Sequence, residues 1–133
     1  NVNKEDYFGD TLLYKAAQDG LTSVVELLLK FDGVDVNKEN DNGWTPLLVA
    51  ARKGHASVVE LLLKVDGVDV NKADEFSGKS PLHIAAEEGH LSLVELLLNA
   101  DGMDVNKENN DGETPLHIAR ERGHNAIVQL LSQ

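Results

Sequence analysis

The side chains best suited to chemistry in this sequence are five histidines, two adjacent glutamates and one Gly-Lys-Ser triplet, with no cysteine anywhere. Without a thiol there is no disulfide, thiolate metal site or cysteine nucleophile. His83 and His117 close the tetrapeptides Ser80-Pro81-Leu82-His83 and Thr114-Pro115-Leu116-His117, while His55, His90 and His124 each follow a glycine. Both sets recur with the period of an internal repeat. Equivalent rings therefore stand roughly 10 Å apart, the distance between packed helices, too far to share a zinc ion bound at about 2 Å.

Gly78-Lys79-Ser80 has the tail of a phosphate-cradling loop, but Ala73 occupies the position where that motif needs its first glycine. Ser80 precedes Pro81 and reads as a helix cap instead. Glu87 and Glu88 form the obvious carboxylate pair, yet adjacent helical residues point in different directions. They read as a solvated helix end, with no apolar cleft to raise either pKa. Gly-x-Ser-x-Gly and His-Glu-x-x-His segments are absent. The sequence thus offers no catalytic, metal or cofactor residues, and the expectation is a protein that is not an enzyme.

The elements that carry these residues are repeated. Val-Asn-Lys recurs at Val2, Val36, Val70 and Val105, in steps of 34, 34 and 35 residues. Gly9, Gly43, Gly78 and Gly112 keep the same step, as do Gly20, Gly54, Gly89 and Gly123. Such self-similarity is the mark of a repeat architecture. Thr45-Pro46, Ser80-Pro81 and Thr114-Pro115 each place a hydroxyl cap before a proline at the first helical position, where its missing N–H costs nothing. A short helix with paired alanines runs from there to Gly54 or Gly89, which accept the left-handed turn. A second helix carries Val58, Val59, Leu61, Leu62 and Leu63, with Glu60 as its polar gap. Asp66-Gly67 then turns the chain towards a hairpin-like tip near Gly78. One such pair cannot bury its apolar face alone, so the pairs must stack into a nearly one-dimensional array. The predicted fold is an all-α solenoid of four helix-turn-helix units linked by β-hairpin-like loops, a single domain over 1–133 with units near 1–34, 35–68, 69–103 and 104–133.

Composition bounds what the array can bind. Hydrophobic residues make up 41% and charged residues 26%, as in a folded domain, and the net charge is −11. Nucleic acid and anionic membranes need a basic surface, so both are excluded as partners, and no apolar run reaches the ~18 residues of a membrane span. A protein partner with a basic or mixed-charge surface fits the acidity. The opening Asn1-Val2-Asn3-Lys4 lacks an initiator methionine and a signal-peptide pattern, which reads as a cut inside a larger protein or a designed start. With no export signal or disulfide framework, the expected location is intracellular, cytoplasmic or nuclear.

Thr114-Pro115-Leu116-His117, the Ala85-Ala86 pair, Gly89-His90, Val58-Val59-Glu60-Leu61-Leu62 and Asp69-Val70-Asn71 resemble the ankyrin repeat motif, and the resemblance covers essentially the whole chain. It implies hydrogen-bonding roles for both histidine sets and a structural role in the turn for Asn37, Asn71 and Asn106. There are departures. The Asp32-Gly33, Asp66-Gly67 and Asp101-Gly102 turns are one residue longer than the family's usual form. The third tip, Asp74-Glu75-Phe76-Ser77, gains a further residue, and the first unit has Leu12 in place of proline. Arg120 and Ser132 make the last unit's outer face polar, as a terminal repeat requires. The first unit is softened less, so fraying is expected to begin there.

The resemblance also implies a protein–protein interaction module, an adaptor or scaffold that binds through hairpin tips and the concave inner-helix face, as a monomer and without cofactors. Positions that vary between units map onto that surface. On the tips they are Tyr7, Phe8 and Asp10, then Asp41, Asn42 and Trp44, then Glu75, Phe76 and Lys79, and finally Asp111 and Glu113. On the inner helices they are Arg52 and Lys53, Glu87 and Glu88, and Glu121 and Arg122. Aromatics are only 5% of the chain, yet four of them fall on tips. Trp44 among them is expected to be a binding anchor, because Trp dominates measured interface energies; the alternative is a ring folded onto the neighbouring hairpin. Ser23 to Lys30 and Ser57 to Lys64 are identical octapeptides, which keeps open an engineered or trimmed array without a natural ligand. A regulatory domain cut from a multidomain enzyme is the third reading.

Overall fold

Thr11, Thr45, Ser80 and Thr114 are extended residues whose hydroxyls accept the backbone N–H three residues on, at Tyr14, Leu48, His83 and His117. Each therefore starts a helix: α1 (Leu12–Gln18), α3 (Pro46–Lys53), α5 (Pro81–Glu88) and α7 (Pro115–Arg122). After a tight turn the outer helices follow, α2 (Thr22–Leu29), α4 (Ala56–Leu63), α6 (Leu91–Leu98) and α8 (Asn125–Leu131). This computed structural model describes every residue from Asn1 to Gln133, and its regular elements are these eight helices with no strand. No helix is long and apolar enough to cross a membrane. Inner helices pack on inner helices and outer on outer, each pair against the next.

Small residues set the spacing. Ala16, Ala17, Ala50, Ala51, Ala85, Ala86 and Ala119 are all buried, so the inner helices approach closely. Leu13, Leu47, Leu82, Val58, Val59, Leu62, Leu93, Val94, Leu97 and Ile127 join them in one seam running the length of the array. The ends differ. Arg120 and Ser132 lie in solvent at the last repeat, whereas Leu12, Leu21, Val24, Leu27 and Phe31 of the first are exposed apolar residues. Val24 is 41% exposed, while its counterparts Val58, Leu93 and Ile127 are buried.

Apolar packing does not fix the register of stacking; backbone hydrogen bonds from neighbouring side chains do. The Asn3 amide donates to the Gly33 carbonyl at 2.7 Å and accepts the Asp35 N–H at 2.7 Å. Asn37 clamps Gly67 and Asp69 in the same way, and Asn71 clamps Gly102 and Asp104. On the inner side, the Nε2 atoms of His55 and His124 lie 3.0 Å from the Gln18 and Glu87 carbonyl oxygens, and His90 reaches Arg52 at 3.4 Å. These carbonyls end the inner helix of the preceding repeat and have no partner within it. Gly54 shows why glycine stands there. Its φ is 78°, and a Cβ would lie 2.9 Å from the His90 ring.

His83 ties a helix start to the next tip. Its Nε2 lies 2.8 Å from the Glu113 carbonyl oxygen, which can only accept, so the proton sits on Nε2 and Nδ1 accepts the Ser80 N–H. Burial pushes its pKa below the usual histidine value. The corresponding His117 of the fourth repeat is exposed.

Two matched pairs of substitutions test this account by urea denaturation. Asn37→Ala removes two hydrogen bonds and is expected to cost about 1–2 kcal/mol, whereas Asn106→Ala, whose side chain makes no such clamp, should cost under about 0.5 kcal/mol. Val58→Ala deletes two buried carbon groups at about 0.8 kcal/mol each plus a cavity, about 2 kcal/mol in all. Val24→Ala, the same change at the exposed end, should cost well under half of that. Equal costs within either pair would contradict the stacking described.

Candidate protein-interaction surface

The loops that join the repeats are built on one side chain each. Asp6 accepts the N–H groups of Phe8 and Asp10, Asn40 those of Asn42 and Trp44, and Asn109 those of Asp111 and Glu113. Asp74 does the same in the third tip for Phe76 and Ser77, and also takes the Ser77 hydroxyl. Asp and Asn favour such turns because their short side chains reach the backbone two residues on. The extra residue of the third tip is absorbed inside its loop. Gly78 N–H bonds to the carbonyl four residues back, whereas Gly9, Gly43 and Gly112 bond three residues back. Neighbouring tips also join, Asp41 N–H to the Phe8 carbonyl and Asn110 N–H to that of Ser77.

These loops place the tip residues in solvent. Tyr7 (91% exposed) and Phe8 touch each other edge to face, and Phe76 is 72% exposed on the enlarged tip. Asp41, Asn42, Glu75 and Asp111 are exposed, and Asp10, Lys79 and Glu113 partly so. Trp44 is placed differently from the other aromatics. It immediately precedes the cap Thr45, so its ring lies half-buried against Leu48, Ala51 and, from the next repeat, Ile84. The Arg52 guanidinium covers it at 5.4 Å from the ring centroid. Trp44 is thus a platform where tip meets inner helix.

The residue before each helix cap and the one eight positions later recur as facing pairs. In the second repeat the pair is Trp44 and Arg52. In the third it is Lys79 and Glu87, whose Nζ and Oε2 are 2.8 Å apart. Arg122 reaches the same oxygen at 2.8 Å, so Glu87 is held between two cations of successive repeats. In the fourth it is Glu113 and Glu121, two exposed carboxyls within hydrogen-bond reach. That hydrogen bond, with the neighbouring charge, holds the Glu121 pKa above the usual value and the Glu113 pKa below it. Paired carboxyls do therefore exist, eight residues apart across tip and helix. Lys53, Glu88, Glu121, Arg52 and Arg122 are all exposed. Two clefts flank Trp44 and Arg52. One, of about 320 Å3, also holds Asp74, Ser77, Lys79, Ile84, Glu87, Glu88 and Arg122. The other, of about 290 Å3, holds Tyr14, Gln18, Asn40, Asn42, Val49 and Lys53. Sequence reasoning overlooked Tyr14, Asn40, Ile84 and the loop-organising acids; the eight-residue spacing was the signal available for the facing pairs.

Stacked helix pairs with an open, variably lined groove define a helical repeat protein. The family model described as ankyrin repeats, in three copies, matches residues 1–74 and again 66–133. The chain belongs to the ankyrin repeat family, whose repeats are in general protein–protein interaction modules and typically non-catalytic. No curated protein matches the sequence significantly.

Acid tests the third tip. Burial raises the Asp74 pKa, but the hydrogen bonds from Ser77, Phe76 and Lys79 outweigh it, leaving the net value below 3.8. A depressed carboxyl stabilises the fold above its ordinary pKa and loses that contribution as pH falls through the lower folded value. The stability difference between the protein and Asp74→Asn, an amide that serves at Asn40 and Asn109, is expected to be constant from pH 7 to about 5 and to shrink as the pH falls below about 4, the ordinary Asp value. A difference unchanged over that range in denaturation titrations would rule the mechanism out.

Proposed function

We propose that this chain is a docking module that holds one protein partner across its hairpin tips and inner-helix groove, in the manner of an adaptor or scaffold. The observation that carries the reading is the division of the surface. The turn asparagines Asn3, Asn37 and Asn71 and the histidines His55, His90 and His124, which satisfy a neighbour's backbone, repeat without change, whereas the facing pairs Trp44/Arg52, Lys79/Glu87 and Glu113/Glu121 differ at every step. A structural requirement would have imposed one chemistry on all of them. Different chemistries in a row give a reading order, and charges in a fixed order set a partner's register and suppress wrong ones. The tips add Tyr7, Phe8 and Phe76, exposed aromatics that supply apolar contact area. Their acidic neighbours Asp10, Asp41, Glu75, Asp111 and Glu113 favour a partner whose facing rim is basic or mixed in charge.

The test is capture of the partner from a cell extract, followed by affinity measurement with substituted proteins. Trp44→Ala is expected to weaken binding by about 2 kcal/mol or more, roughly thirtyfold. Because Trp44 also packs on Ile84, Phe76→Ala serves as a companion with little effect on stability and a loss of about 1 kcal/mol in affinity. Glu60→Ala and Glu95→Ala, on the outer helices, should leave binding unchanged. A partner indifferent to the first two substitutions and sensitive to the last two would place the interface on the opposite face.

A further inference from the structure

We propose that the cleft between Trp44, Arg52 and the second hairpin is a carboxylate-binding subsite, which takes an Asp or Glu side chain from an extended segment of the partner. The inference rests on the docking reading and runs against what the net charge of the chain suggests. Asp and Glu outnumber Lys and Arg by 23 to 12, yet the eight residues lining this cleft include Arg52 and Lys53 and no acid.

The two cations there are also unengaged. The five ion pairs of the protein use Lys15, Lys38, Lys72, Lys79 and Arg122. Arg52 is instead laid over the Trp44 ring, which restrains its guanidinium without using its N–H donors. A pre-oriented guanidinium fork matches a carboxylate in geometry as well as charge. The only intramolecular hydrogen bonds of Gln18, Asn42 and Arg52 go through their main chains, so their side-chain donors are free. Burial, reinforced by the Asp10 charge, raises the Tyr14 pKa and keeps its phenol protonated.

The acids elsewhere in the groove do not compete equally. Glu87 is already neutralised by Lys79 and Arg122 at one oxygen, and the Glu113/Glu121 pair lies two repeats away. At physiological ionic strength the Debye length is about 8 Å, so the Glu113/Glu121 pair is screened, and the nearby Asp10 carboxylate is held by the Asn40 amide, while Arg52 and Lys53 act on whatever enters the cleft. The acidic rim and this basic pocket therefore select different parts of one partner.

Trp44 is the single tryptophan of the chain, so its emission and its indole N–H resonance report on the two clefts it flanks, of which only this one is lined by Lys53. The experiment titrates the intact 133-residue protein with acetylated, amidated hexaglutamate and, separately, hexalysine, at ~0.15 M salt. Hexaglutamate is expected to shift both Trp44 signals saturably. Arg52→Gln should weaken that binding about tenfold or more, and Lys53→Gln by a smaller factor; both residues are exposed, and unchanged denaturation midpoints will show that the fold is intact. The same peptide with a free C-terminus should bind no more than about twofold tighter, which separates side-chain from terminal carboxylates. Trp44 signals moved by hexalysine alone would overturn the acidic ligand while leaving the groove as a docking surface. No Trp44 response to either peptide at millimolar concentration, or an equal response in Arg52→Gln, would overturn the subsite itself.

Discussion

The structure depends on a backbone requirement that no repeat meets by itself. Each short helix leaves carbonyls without partners at its end, and each turn leaves an N–H and a carbonyl open. Neighbouring repeats, the one before on the turn side and the one after on the helix side, supply the missing donors and acceptors. Asn37 and Asn71 do so on the turn side, and His55, His90 and His124 on the inner-helix side. An apolar seam tolerates sliding, because aliphatic contact has no direction. A carboxamide that must donate to one carbonyl and accept from an N–H two residues further on does not. The seam supplies most of the stabilising burial, and the amides and imidazoles decide which stacking is realised.

That division explains how a rigid frame carries a changeable face. The side chains committed to neighbouring backbone lie at fixed positions, whereas positions beside the helix caps, and the loop apices apart from Asn110, are free of such duty. The loops need only an Asp or Asn at their start to close. Even there the demand is loose, since Asp6, Asn40, Asp74 and Asn109 all serve. The result is a groove whose lining changes from a cation–aromatic stack to a cation-clamped carboxylate to a carboxyl pair within three consecutive units.

Most of the fold was legible in the sequence because its signals are local. Hydroxyl-proline caps, glycine stops and aliphatic blocks each dictate structure within a few residues, and four copies remove ambiguity. The extra residue at Phe76 was visible as a broken spacing, and the loop absorbs it as that spacing required. The lining of the groove was only partly legible. Trp44 was expected among projecting tip aromatics, but proximity to its cap lays it over Ile84, a residue forty positions away that only stacking brings near. In the sequence Glu87 reads as part of a solvated helix end; in the fold its partners are Lys79 and Arg122, one of them in another repeat. Composition gave the sign of the whole surface and not of its parts, since a charge total does not record which acids are already neutralised.

The enlarged third loop has a consequence for how such a protein can change over generations. Its additional residue is taken up between Asp74 and Gly78, and the helices on both sides keep their alignment. Lengthening a loop and keeping the scaffold are thus separable events, so lineages could trial new contact shapes one apex at a time. Insertion and deletion, usually ruinous within packed architecture, become ordinary raw material for altering what is recognised.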